Sequence, residues 1–222
     1  MDKEVRQFNV ELECRMGDNK RIYVEGRAIP FNTFSPNREG FREMILPEAV
    51  EGVIENSDIK FLYNHDSSRG FLARNNKGKG SLEIKVKEDG VYFAFPLKKD
   101  NLSQYVLERL DDGELSEMSW AFTVADEKWE KKEDGVYERT ITKFDKLYDF
   151  SVVDSSYYGI PNVVGCKRFA ELQEADRKAL EEAKAEELRL AEEEKQKKLD
   201  EYYTQLRKEY QDIINADNNN TN

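Results

Sequence analysis

Along most of the first 167 positions, apolar and polar residues alternate with a period of two, the signature of half-buried β-strands. From Phe8 to Ile29 the pattern fits two strands joined at Gly17-Asp18-Asn19, the second running from Arg21 to Ala28. A polar loop from Asn32 to Gly40 follows, and Phe41 to Val50 reads as a short strand entering a helix opened by Pro47. Ile59 to His65 is another strand. The Ser-, Asn-, Gly- and Arg-rich stretch behind it, Asp66 to Gly80, is expected to be largely loop. Ser81 to Val86 and Gly90 to Leu97 predict a hairpin turning at Glu88-Asp89-Gly90. The period then lengthens: Leu102, Val106, Leu107 and Leu110 share one helical face, and Gly113 ends that helix. Leu115 to Trp129 returns to alternation. A turn at Glu133-Asp134-Gly135 leads into Val136 to Phe144, and Lys146 to Val153 is a last strand before the loop Asp154 to Pro161. Many short strands with few helices predict a mainly β (α+β) unit, an antiparallel β-barrel or sandwich with a few flanking helices.

At Arg168 the pattern changes, which divides the chain into residues 1–167 and 168–222. Arg168 to Tyr210 has neither Gly nor Pro and consists mostly of Glu, Lys, Ala, Leu and Arg, so a long helix is expected. Leu199, Tyr203, Leu206, Tyr210 and Ile213 recur at spacings of four and three, the seam of a short coiled coil. That seam points to a helix that pairs with partners; a solvated helix is the other reading. Asn215 to Asn222 reads as a disordered polar end.

Composition narrows the function. Net charge is −11 and the pI near 4.9, with no Lys/Arg block, so the chain lacks the footprint for nucleic acid or an anionic membrane. Cys14 and Cys166 have no metal-type spacing, which argues against a zinc site or disulfide framework and for a reducing intracellular setting. Met1-Asp2-Lys3-Glu4 is not the start of a secretory signal, and no apolar run approaches the ~20 residues that cross a bilayer. A soluble protein is expected.

The one histidine of the 222 residues, His65, closes Phe61-Leu62-Tyr63-Asn64-His65-Asp66. A nucleophilic hydrolase needs a nucleophile, a base beside it and a group orienting the base, and His65 is the sole imidazole available. Ser119 is the leading nucleophile: in Met118-Ser119-Trp120-Ala121-Phe122-Thr123-Val124 the even positions are large and apolar, leaving Ser119, Ala121 and Thr123 on a small-residue face with room for a substrate chain. Asp149 sits in the apolar strand Leu147-Tyr148-Asp149-Phe150-Ser151-Val152-Val153, where a carboxylate is costly unless it meets a donor or a cation. Asp66 and Asp154 are rivals for the orienting role. Cys14 and Cys166 are weaker nucleophile candidates, and no ligand cluster indicates a metal.

These blocks carry a resemblance. Val24 to Asn32, Glu43 to Val50, Phe61 to Asp66, Met118 to Phe122 and Leu147 to Val153 resemble, in order, the blocks of the tailed-phage prohead (capsid-maturation) protease family, relatives of the herpesvirus assemblins. In that family's last block an acidic residue stands two before a serine, as Asp149 does before Ser151. The resemblance implies an antiparallel β-barrel serine protease, with Ser119 as nucleophile, His65 as base, Asp149 as orienting carboxylate and no cofactor. It implies capsid precursor and scaffold proteins as substrates, a homodimer, and work inside the prohead in the host cytoplasm. It also suggests a scaffold-like role for the helical tail; a non-catalytic scaffolding protein acting through that tail is the alternative. Two departures stand out. Asp149 is shorter than the family's usual Glu, and Asp154-Ser155-Ser156-Tyr157-Tyr158-Gly159 lacks the usual Pro-Ala pattern. The two-histidine assemblin pattern cannot apply here.

Overall fold

The computed structural model describes residues 3–9, 12–18, 21–37, 40–154 and 167–219, and the chain divides into two compact units, Met1–Gly165 and Cys166–Asn222. In chain order the first unit holds β1 (Glu4–Asn9), β2 (Leu12–Met16), β3 (Ile22–Pro30), β4 (Phe41–Ile45), a 3-10 turn (Pro47–Val50), α1 (Val53–Asn56) and β5 (Asp58–Tyr63). A second 3-10 turn (Ser67–Arg69), β6 (Ala73–Asn76), β7 (Lys79–Gly80), β8 (Glu83–Lys87), β9 (Gly90–Pro96), α2 (Asn101–Asp111), β10 (Glu117–Lys131) and β11 (Tyr137–Val153) follow.

Two sheets result. One runs β1-β10-β11-β5-β6-β7 with β4 also on β11; the other runs β2-β3-β9-β8. The apolar side of each alternating strand is buried between them. The ring of Phe61 on β5 lies 4.8 and 4.6 Å from those of Phe93 and Phe95 on β9, and Phe93 lies 6.4 Å from Phe150 on β11. The two sheets therefore share one core, and neither sheet closes on itself among the described residues. Pairing is not all antiparallel as expected. β10 takes one edge of β11, and β4 and β5 lie in succession along the other, both parallel to it. The crossover through Pro47–Val50 and α1 turns the chain back, so β5 enters in the direction of β4.

Three local readings change. The expected strands Val136–Phe144 and Lys146–Val153 are one strand, with register shifts against β10 absorbing the break in alternation. The stretch expected as loop contains the hairpin β6–β7, whose two turn residues, Lys77 and Gly78, both have positive φ. β1 begins at Glu4, ahead of the first strand predicted.

The second unit is α3 (Lys167–Asn219), which runs on into the segment expected to be disordered. Exposed ion pairs three and four residues apart line it, such as Arg177 with Glu174 at 2.8 Å and Glu181 at 2.9 Å. Of the predicted seam, Leu199 and Tyr203 are exposed; the side chains of Leu206, Tyr210 and Ile213, like Cys166 and most of the loop after Asp154, lie outside what is described. Among the described residues no helix is long and apolar enough to cross a membrane.

Candidate active site

β10 and β11 place Ser119 directly opposite Ser151, and Ala121 opposite Asp149. β5, parallel to β11, puts Leu62 beside Ser151 and Tyr63 beside Val152. The ladder continues one residue past β5, with Asn64 N donating to Val152 O at 3.0 Å. The chain then reverses: Asp66 N donates to Tyr63 O at 3.0 Å, and the two central residues, Asn64 and His65, have φ of 52° and 57°. Positive φ at both central positions defines a type I′ turn, and Asn and His are among the side chains that tolerate it. His65 is thus a turn residue just beyond the strand, rather than the strand's last residue.

Asp154 holds this turn. It accepts from Tyr63 Oη at 2.9 Å and Asn64 Nδ2 at 3.0 Å, while its own N–H donates to Asn64 Oδ1 at 3.2 Å. Asp66 caps the following 3-10 turn, accepting from Ser68 N at 2.9 Å and pairing with Arg69. Neither rival acid contacts the imidazole through these bonds; Asp149 does.

His65 Nδ1 lies 2.5 Å from Asp149 Oδ1, and His65 Nε2 lies 2.6 Å from Ser119 Oγ. Ser151, which the sequence marked only as a landmark, bridges the acid and the ring. Its Oγ donates to Asp149 Oδ1 at 2.9 Å, sits 3.1 Å from His65 Nδ1 and accepts from His65 N at 3.3 Å. Lys3 Nζ reaches Asp149 Oδ2 at 3.3 Å. Burial pushes the Asp149 carboxyl up, but the hydrogen bond and charge of His65, then Lys3 and the Ser151 hydroxyl, outweigh it and hold the group below the ordinary carboxylate range. The shorter acid therefore does reach the ring, so its length is no obstacle.

The predicted open face around Ser119 is not open. Ser119 and Ala121 are wholly buried where β1 pairs along the outer edge of β10, and Thr123, just past that pairing, is 2% exposed. The main chain of β1 touches Ser119 itself, with its Oγ 2.8 Å from Arg6 O.

Beside the site lies a buried charge cluster the sequence did not reveal. Arg6 bonds Glu43 and, at 2.6 Å, Glu4; Arg139, 1% exposed, reaches Glu4 at 2.6 Å, Glu43 at 3.1 Å and Glu127 at 2.5 Å. Burial pushes the Glu43 carboxyl up, and the two guanidiniums more than reverse this, leaving it below its ordinary value. Cys14 is exposed on β2, away from these groups in sequence and sheet. Among the described residues no group of three His, Cys, Asp or Glu is placed to hold a metal ion.

A hydroxyl, an imidazole and a carboxylate in hydrogen-bonded series can deprotonate the hydroxyl for attack on a carbonyl carbon. No curated protein matches the chain. The solved structure of the bacteriophage T4 capsid assembly protease, gp21, is similar at a TM-score of 0.40 and 9% identity, covering 70% of this chain and 99% of that one. The family model of the caudovirus prohead serine proteases matches residues 9–173. Matched over well more than half its length, the chain belongs to the caudovirus prohead serine protease family and is a serine protease of prohead maturation.

Proposed function

We propose that Ser119, His65 and Asp149 are the catalytic residues of this protease. The observation that carries the reading is the unbroken series from Asp149 Oδ1 through the His65 ring to Ser119 Oγ, at 2.5 and 2.6 Å. With Nδ1–H donated to Asp149, Nε2 presents its lone pair to Ser119. As Ser119 Oγ forms its bond to the scissile carbonyl carbon, its proton passes to Nε2, and the imidazolium then gives that proton to the departing amine. Water, deprotonated in the same way, splits the acyl-enzyme and restores the hydroxyl. Asp149 fixes the tautomer and stabilises the charged ring, and Ser151 positions both.

The substrates on this reading are capsid precursor and scaffold proteins, cut inside the prohead, with the chain acting on itself as well. Residues 1–167 carry the chemistry, their two mixed sheets standing for the walls of the family's β-barrel. Residues 168–222 serve as a charged, scaffold-like helical extension, and the enzyme works as a homodimer. Co-expression with a capsid precursor tests the catalytic claim: Ser119→Ala is expected to abolish processing while the protein keeps its wild-type circular dichroism. Processing at the wild-type rate by Ser119→Ala would overturn it.

A further inference from the structure

The nucleophile of a protease must meet a peptide, yet Ser119 is fully buried and its hydroxyl faces the chain's own main chain at Arg6 O. Extended peptides bind proteins by adding a strand to a sheet edge, through main-chain hydrogen bonds. β10 has two edges, and both are taken: β11 on one, β1 on the other. β11 carries Asp149 and Ser151 and cannot leave without dismantling the site. A substrate strand beside Ser119 therefore needs the place that β1 holds.

We propose that the outer edge of β10 is the binding site for an extended substrate peptide, and that residues 4–9 are a displaceable occupant of it that keeps the protease latent. The inference rests on the serine protease reading above.

Four observations support it. β1 pairs antiparallel with β10 from Glu4↔Phe122 to Asn9↔Glu117, with Gln7 opposite Ser119, as a bound peptide strand would. The Ser119 hydroxyl has a single proton and two acceptors, His65 Nε2 at 2.6 Å and Arg6 O at 2.8 Å. Arg6 O therefore competes with the base for the proton that catalysis must move. The neighbouring Lys3 adds a cation to Asp149 Oδ2, so this one segment touches both ends of the catalytic series. The family match begins at residue 9, the last residue of β1.

The departure of β1 is also electrically balanced. It removes one cation, Arg6, and one anion, Glu4, from the buried cluster, while Arg139 keeps its contacts to Glu43 and Glu127. No single buried charge is abandoned, the condition under which breaking such a cluster is most costly.

A covalent lock tests this. Val5 and Ala121 are register partners across β1 and β10, and cross-strand pairs lie within disulfide reach. With Cys14→Ser and Cys166→Ser in the background, Val5→Cys with Ala121→Cys ties β1 down when oxidised and frees it when a phosphine reductant is added. The readout is the rate at which a fluorophosphonate labels Ser119, which needs an activated nucleophile but no particular peptide sequence. Because the rate follows the fraction of molecules in which β1 has opened, the oxidised form should label at least ~10-fold more slowly than the same protein reduced. A chain lacking residues 1–9 should label faster than the full chain by a similar factor; if it does not fold, the reversible lock decides alone. Equal labelling of oxidised and reduced forms overturns the inference and leaves the protease reading standing. No labelling of Ser119 in any form overturns the protease reading, and this inference with it.

Discussion

Asp149 serves His65 in two ways, by accepting from Nδ1 and by sharing Ser151 with it. Asp149→Asn preserves the side chain's shape but not its charge, so turnover should fall by about 10⁴-fold with little change in fold, measured as kcat on a cleaved peptide. A pH signature accompanies it. The folded Asp149 is held below the carboxylate's ordinary value, so its contribution to stability is complete above about pH 4 and is lost as pH falls through the lowered value. Melting temperatures of wild type and Asp149→Asn should accordingly converge as the pH drops below about 4. Asp149 was legible in the sequence because a carboxylate among Tyr148, Phe150 and Val152 demands a partner. The part played by Ser151 was not. It depends on the parallel register of β11 against β5, which sets Ser151 beside the sequence-distant Leu62, and no local period encodes that pairing.

At the scale of elements, the turn Tyr63 to Asp66 is what aims the imidazole, and its left-handed backbone is held by Asn64 and Asp154. Asn64→Val should destabilise the fold by about 1–2 kcal/mol more than Asn64→Gly in urea denaturation, since only glycine enters that region without a Cβ clash. Both variants lose the Asp154 bonds and should lower kcat more than they raise KM. The strands that were read correctly are those with an apolar face, β3, β4, β5, β9 and β10 among them. β6 and β7 were not: Ala73-Arg74-Asn75-Asn76 and Lys79-Gly80 have the composition of a loop, and their pairing comes from the type I′ turn and the edge of β5. β1 escaped notice for a related reason. Glu4 and Arg6 occupy its buried face, and charges there read as solvent-facing until Glu43 and Arg139 arrive from distant strands to pair them.

For the whole molecule, that charge cluster ties β1, β4, β10 and β11 together. Removing Arg139 would leave Glu4 and Glu43 buried with one cation between them. Arg139→Ala should therefore cost about 3–5 kcal/mol by chemical denaturation, well beyond the cost of cutting an exposed α3 pair such as Arg177–Glu174. Among the described residues the hydrophobic core cluster is built from the first unit, and the family match ends at residue 173. A chain truncated after Gln173 should on that account keep its peptidase activity. The change at Arg168 from alternation to an unbroken run of helix formers is a feature of the composition alone.

Catalysis by this chain requires that His65 activate Ser119, and locating a covalent adduct measures that most directly. After prolonged exposure to a fluorophosphonate, peptide mapping by mass spectrometry should find wild type modified on Ser119, and His65→Ala modified at least about 10³-fold more slowly. An adduct on another residue, or equal rates in the two proteins, would contradict it.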